Sequence, residues 1–136
     1  MITVKKIADL AGVSSDTVRH YTRIGLLRPT RSVANNYKSF SLEDVKRLKF
    51  IRRSQQLGFS LKEVTQLLCD AELGKSPCPK ARDIIHHKII DNKKAINDLI
   101  KLQAKLEKAL VQWSKMPNKV PDGETICHLV EHWDNG

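Results

Sequence analysis

Three cysteines and five histidines are the side chains of this 136-residue sequence best suited to ligating a metal or reacting as nucleophiles. Cys69 sits in an apolar run with Val64, Leu67 and Leu68 and reads as a core residue without a functional role. Cys78 is placed differently. In "GKSPCPKARDIIHHK", residues 74–88, it stands between Pro77 and Pro79 at the mouth of a long helical pattern. Helix-start amides and the helix macrodipole favour a thiolate there. Cys127, in "GETICHLVEH", has His128 beside it and His132 about one helical turn beyond. Between Ile126 and Leu129 it also fits the core of a short tail helix. The odd cysteine count and the lack of a CxxC pair argue against a disulfide framework and leave room for a ligating or reactive thiol.

The elements that position these groups are legible from periodicity and caps. "TVKKIADLAGVSSDTVRHYTRIGLL" shows Val4, Ile7, Ala8 and Leu10 at helical spacing, a stop at Gly12, then Ser14 and Ser15 ahead of Val18, Tyr21 and Ile24. This predicts helix, tight turn, helix. "LLRPTRSVANNYKSFS" follows, with Pro29 fixing a turn, Asn35 and Asn36 tolerating positive φ, and Tyr37 and Phe40 favouring strand, so a short basic hairpin or wing is expected. Ser41 with Asp44 opens a third helix whose Val45, Leu48 and Ile51 form a buried face, and Gly58 ends it. Ser60 and Glu63 form a capping box for a fourth helix to about Cys69.

Beyond a linker, a helix is expected from about Lys80 to about Lys115. Ile85, Ile89, Asn92, Ile96, Leu99, Gln103, Leu106, Leu110 and Trp113 alternate spacings of four and three, a heptad seam with polar breaks. At 1.5 Å per residue such a helix is roughly 50 Å long, and helices three and four are too short to cover it. A homodimer is therefore expected. The resulting domains are 1–70, a winged helix-turn-helix; 71–79, a linker; 80–116, a dimerisation helix; and 117–136, a C-terminal tail.

Charge adds a partner. Residues 1–70 hold 13 Lys/Arg against 6 Asp/Glu, most of the chain's net +9, which is the footprint of a nucleic-acid binder. No apolar run approaches a membrane span and the N-terminus lacks a signal-peptide h-region, so a cytoplasmic protein is expected. No nucleophile–base set, phosphate-binding glycine loop or paired carboxylate site is visible, which argues against an enzyme.

The segments "IADLAGVSSDTVRHYTRIGLLRP", "NNYKSFSLEDVKRLKFIRR" and "LGFSLKEVTQLL" resemble the DNA-binding domain of the MerR family of transcriptional regulators, and the long helix and short tail are laid out similarly. The resemblance implies a mainly α protein: a winged helix-turn-helix followed by an antiparallel coiled coil joining two protomers. It implies a regulator that binds a promoter whose spacer is too long for RNA polymerase and, on meeting its inducer, distorts the DNA so that the promoter elements realign. Shape readout of this kind involves deformation energies of several kcal/mol.

Carried onto this sequence, the recognition helix offers Ser15, Thr17, Arg19 and Tyr21, and the wing offers Arg31, Asn36, Tyr37 and Lys38. Arg19 is the favoured base or phosphate fork because a guanidinium donates two parallel bonds. Tyr21 and Tyr37 are hydroxyl donors to phosphate or packing rings. Arg53 is read as a backbone clamp and Arg52 as solvated. The chain departs from the family pattern at His20, where a second tyrosine is common, at Thr22 in place of an acidic residue, and at Lys38 in place of arginine.

In an antiparallel dimer the start of one long helix lies beside the end of the other, so Cys78 of one protomer approaches Cys127 of its partner. Two thiolates suit a thiophilic metal such as Cu(I), Hg(II), Cd(II), Pb(II) or Zn(II), and the resemblance points to a metal-responsive regulator. A further loop cysteine usual in metal-sensing relatives is replaced here by Gln112, Trp113 and Ser114, so His128 is the first candidate for a third ligand. The alternative is a thiol sensor of oxidants or electrophiles. The four-cysteine iron–sulfur pattern of oxidant-sensing relatives is absent, and about 23 residues after Trp113 leave no room for a drug-binding domain.

Overall fold

The computed structural model describes residues 2–31 and 37–134. The chain divides into two compact units, Met1–Arg82 and Asp83–Gly136. The first begins with α1 (Val4–Ala11), capped by the Thr3 side chain, and α2 (Ser15–Arg23), capped by Ser14 Oγ, which accepts from the Thr17 amide at 3.1 Å. Gly12 between them adopts φ +70°, a left-handed conformation that glycine takes without a Cβ penalty. This is the expected helix, tight turn, helix.

A two-stranded antiparallel ribbon follows, β1 (Thr30–Arg31) against β2 (Lys38–Ser39), with Thr30 opposite Ser39 and Arg31 opposite Lys38. The Phe40 amide bonds the Ile2 carbonyl at 2.8 Å, tying the ribbon's root to the start of the chain. Next come α3 (Leu42–Gln56) and α4 (Leu61–Glu72), each opened by a reciprocal capping box: Ser41 with Asp44, and Ser60 with Glu63. Ile7, Val18, Leu27, Leu48, Ile51 and Val64 are fully buried, so one core draws on α1, α2, the α2–β1 turn, α3 and α4. α4 continues three residues past the expected end at Cys69.

That continuation corrects the reading of Cys69, which is exposed. Val64 and Leu67 point inward, and at 100° per residue Cys69 lies about 200° around the helix from Leu67. Leu67, Leu68 and Cys69 are adjacent in sequence, but the buried stripe is only one face wide.

α5 (Cys78–Trp113) starts two residues earlier than its expected start, and the boundary between the units falls within it. Pro79 is tolerated in its first turn, where no intrahelical amide bond is lost. The second unit carries the rest of α5, a tail, and α6 (His128–Glu131). Within α5 only Ala109 is buried. Ile89, Ile96, Leu99, Leu106 and Leu110 of the heptad seam are 50–68% exposed.

Candidate functional site

In the first unit the recognition elements are built from short-range caps. Ser14 Oγ and Thr17 Oγ1 lie 2.8 Å apart, so Thr17 joins the cap at the start of α2, and Ser15 beside it is half-buried. Arg19 is exposed but donates to Asp16 Oδ1 at 2.9 Å, one turn back. The guanidinium expected to fork onto a base or phosphate has an acid partner of its own in this structure. Tyr21 is only 6% exposed and its hydroxyl donates to Gln55 Oε1 at 2.6 Å. A hydroxyl has one proton, and here Tyr21 gives it to Gln55: the ring packs and the hydroxyl ties α2 to α3, in line with the alternative of a packing ring.

The ribbon places Arg31 directly across from half-buried Lys38. Like charges at facing positions oppose strand pairing, so this register suits a surface that meets anions. Tyr37, at the foot of β2, is 66% exposed. Asn36 lies outside the described residues. Arg53, exposed on α3, faces a shallow crevice with Lys49 and Arg52 at the end of α1.

Two residues that sequence reading passed over fix the ribbon's root. Buried Asp44 does more than cap α3: its Oδ1 accepts from the Arg28 amide at 3.2 Å while Oδ2 accepts from Ser41. Arg47, with little of its side chain exposed, donates Nε to the Leu26 carbonyl at 3.0 Å and Nη1 to Glu72 Oε1 at 2.6 Å. Glu72 also lies 3.9 Å from Arg28, and the Arg47 hydrogen bond and charge hold its carboxyl below the ordinary value. The Ser41–Asp44 spacing signalled the cap; nothing local signals a contact between positions 47 and 72.

The thiols are displayed at helix starts. Cys78 is the first residue of α5, exposed, with its amide donating to Ser76 Oγ at 3.3 Å and the Pro77 carbonyl accepting the Ala81 amide. Lys80 pairs with Asp70 at 3.0 Å, clamping this turn to the end of α4. Cys127, in the second unit, is the N-cap of α6 and exposed, which corrects the alternative of a core cysteine. His128 is buried, and its Nε2 donates to the Pro117 carbonyl at 2.7 Å. With Nε2–H given to that carbonyl, Nδ1 is the ring nitrogen left to ligate a metal. His132 Nδ1 donates instead to the His128 carbonyl.

Among the described residues no group of three or more His, Cys, Asp or Glu side chains gathers into a metal site within one chain. His86 and His87 are exposed on α5, and His87 Nδ1 donates to the Asp83 carbonyl at 2.8 Å. No helix among the described residues is long and apolar enough to cross a membrane. In donor chemistry, Cys78, Cys127 and His128 fit a thiophilic ion, each protomer offering two sulfur ligands and one nitrogen.

The family model described as "MerR HTH family regulatory protein" matches residues 2–70, and one described as "MerR, DNA binding" matches residues 45–109. The mercuric resistance operon regulatory protein of Bacillus cereus is 34% identical over 130 residues, covering 94% of this chain and 93% of that relative. The dual function transcriptional regulator MerR from Bacillus megaterium MB1, solved in complex with mercury(II), matches at 26% identity and a TM-score of 0.59, covering 96% and 97% of the two chains. The transcription regulator PbrR691 from Ralstonia metallidurans CH34, solved with lead(II), shares the fold with a TM-score of 0.73 at 21% identity, covering 96% and 98%.

Proposed function

Because this chain belongs to the MerR family of helix-turn-helix transcriptional regulators, we propose that it works as a cytoplasmic homodimer that senses a thiophilic metal ion through Cys78 of one protomer and Cys127 of the other. The observation that carries this reading is the pairing of two exposed thiols with an uncovered seam: α5 is about 54 Å long, Cys78 is its first residue, and Ile96, Leu99, Leu106 and Leu110 are exposed in the single chain. Covering that stripe with an antiparallel copy stabilises it at roughly 25 cal/mol per Å² of apolar surface. The same pairing sets the start of one α5 beside the tail of the other. His128 Nδ1 is the third donor.

Regulation then follows from DNA shape. The dimer binds a promoter with an overlong spacer, and metal binding biases it toward a state that bends and untwists the DNA for RNA polymerase. The metal supplies cross-bridging between thiolates and histidine; the chain supplies donors whose positions are fixed by the Asp70–Lys80 clamp and the Pro117–His128 bond. Support for metal as the effector comes from the relatives named above, one called a mercuric resistance regulator and one solved with mercury(II). The domains read as 1–70 for DNA, 71–79 as linker, 80–116 for dimerisation and 117–136 for sensing.

The decisive experiment is transcription in vitro from an overlong-spacer promoter against a panel of soft metals and electrophiles, for wild type, Cys78→Ser and Cys127→Ser. Loss of metal induction in both variants, with operator binding retained, is the expected result; an unchanged response in both refutes the sensing site. A second reading, a thiol sensor of electrophiles or oxidants, rests on the exposure of Cys78 and Cys127 and on Gln112, Trp113 and Ser114 standing where metal-sensing relatives carry a further loop cysteine. A covalent adduct in the mass spectrum, with induction and no bound metal, favours it.

A further inference from the structure

The cations of the first unit differ in what surrounds them. Arg19, Arg28, Arg47 and Lys80 each have a carboxylate within ion-pair distance. Lys49, Arg52 and Arg53 have no such partner among the described residues, yet all three line one crevice of about 290 Å³ against Asp9–Gly12, the end of α1 and the turn into α2. Asp9 lines the same crevice without pairing to any of them.

Gly12 lets this cluster form. A Cβ built there would stand 3.4 Å from Cζ and Nη1 of Arg52, so the bare turn is what the guanidinium lies against. Capping the end of α1 does not require Arg52, since the Gly12 and Val13 amides already bond the Ala8 and Asp9 carbonyls. Nor is burial the reason: all three cations are exposed. Three like charges around one crevice, with Asp9 on its rim but not within ion-pair distance of any of them, repel one another, and that cost falls when an anion enters.

Gly12 also lies two residues before Ser14, the cap of α2. In a helix-turn-helix the second helix enters the major groove by its N-terminal residues, which brings the preceding turn to the lip of the groove where the sugar-phosphate backbone passes. We propose that Lys49, Arg52 and Arg53, gathered against the Gly12 turn, form a subsite for backbone phosphate of duplex DNA; the proposal rests on the DNA-binding reading of this unit. Arg52, read from sequence as merely solvated, becomes the cation seated on the turn, with Lys49 and Arg53 flanking it. The site carries charge and no base readout.

The test is the salt dependence of binding to a duplex selected in vitro by the wild-type protein, and to an unrelated duplex of equal length, for wild type, Arg52→Gln, Lys49→Gln and Arg52→Lys. Each lost phosphate contact lowers the slope of log K against log salt by about 0.9, so a symmetric dimer should lose about 1.8 with Arg52→Gln. Both duplexes should weaken by the same factor, and Arg52→Lys should retain most of the slope. An unchanged slope overturns the subsite, as does a weakening confined to the selected duplex, which would mean base readout. A drop in thermal stability without a change in slope also overturns it, by making Arg52 a structural residue. Wild-type protein that shows no salt-dependent binding to either duplex overturns the DNA-binding reading beneath it as well.

Discussion

The two units of this chain solve the burial problem in opposite ways. Four short helices and a ribbon in the first unit enclose fully buried residues from nearly every element, Ile7 to Val64, and satisfy their ends with reciprocal side-chain caps. In the second, the long run of α5 beyond Arg82 buries one alanine and leaves most of its leucines and isoleucines to solvent. One is a domain with its own core. The other carries an uncovered seam, which in the proposed homodimer is half of a core completed by a second copy of the same chain. On that reading the first unit's stability is independent of concentration, whereas the second's depends on it.

Breaking each core should reveal this most directly. Leu48→Ala removes a fully buried side chain of α3 and should destabilise the first unit by about 2–5 kcal/mol, seen as a lower midpoint in denaturant that does not move with protein concentration. Leu99→Asp with Leu106→Asp places charge in the α5 seam and should convert the protein to monomer in sedimentation. The first unit's thermal transition should survive, and operator binding should collapse. A double variant that remains dimeric would refute the seam.

Smaller effects sharpen the same contrast. Asp44→Ala deletes one half of a capping box and the acceptor for the Arg28 amide, and should cost about 1–3 kcal/mol, with hydrogen exchange rising at Arg28 and Ser41. Glu72→Gln tests the Arg47 bond through pH. Because the Glu72 carboxyl is held below its ordinary value of 4.5, its contribution is present above that value and is lost as pH falls through the folded-state pKa. Wild type and Glu72→Gln should differ in stability at neutral pH and converge in acid. The smallest effect belongs to α5. The His87 bond to the Asp83 carbonyl, with the charges of Asp83 and Asp91, raises its imidazole above 6.5. The resulting support for the helix is complete below 6.5 and lost as pH rises through the raised value. Asp83→Asn should lower the His87 titration midpoint measured by NMR.

What could be read from the linear sequence was whatever is local. The caps at Ser14, Ser41 and Ser60 lie within three residues of the amides they serve, and the heptad seam is a repeat along one helix. Contacts between distant positions were not legible. Tyr21 looked like a phosphate donor until Gln55, 34 residues on, took its hydroxyl. The partner of Arg19, Asp16, is only a turn away, whereas Arg52 meets the Gly12 turn through tertiary packing that no local spacing signals. The exposure of Cys69 has a simpler reason: apolar neighbours in sequence do not say which of them face inward.

Arg47 is a single guanidinium shared by two parts of the chain that are far apart in sequence: the Leu26 carbonyl at the root of the ribbon and the side-chain carboxylate of Glu72, the last residue of α4. Glu72 cannot shift without either drawing this half-buried cation along or leaving it without its counter-charge, and either outcome disturbs the Leu26 bond. Five residues separate Glu72 from Cys78. Under the proposed function, one side chain rather than the deformation of a packed core would link the ribbon's root to the stretch of chain that carries the thiol.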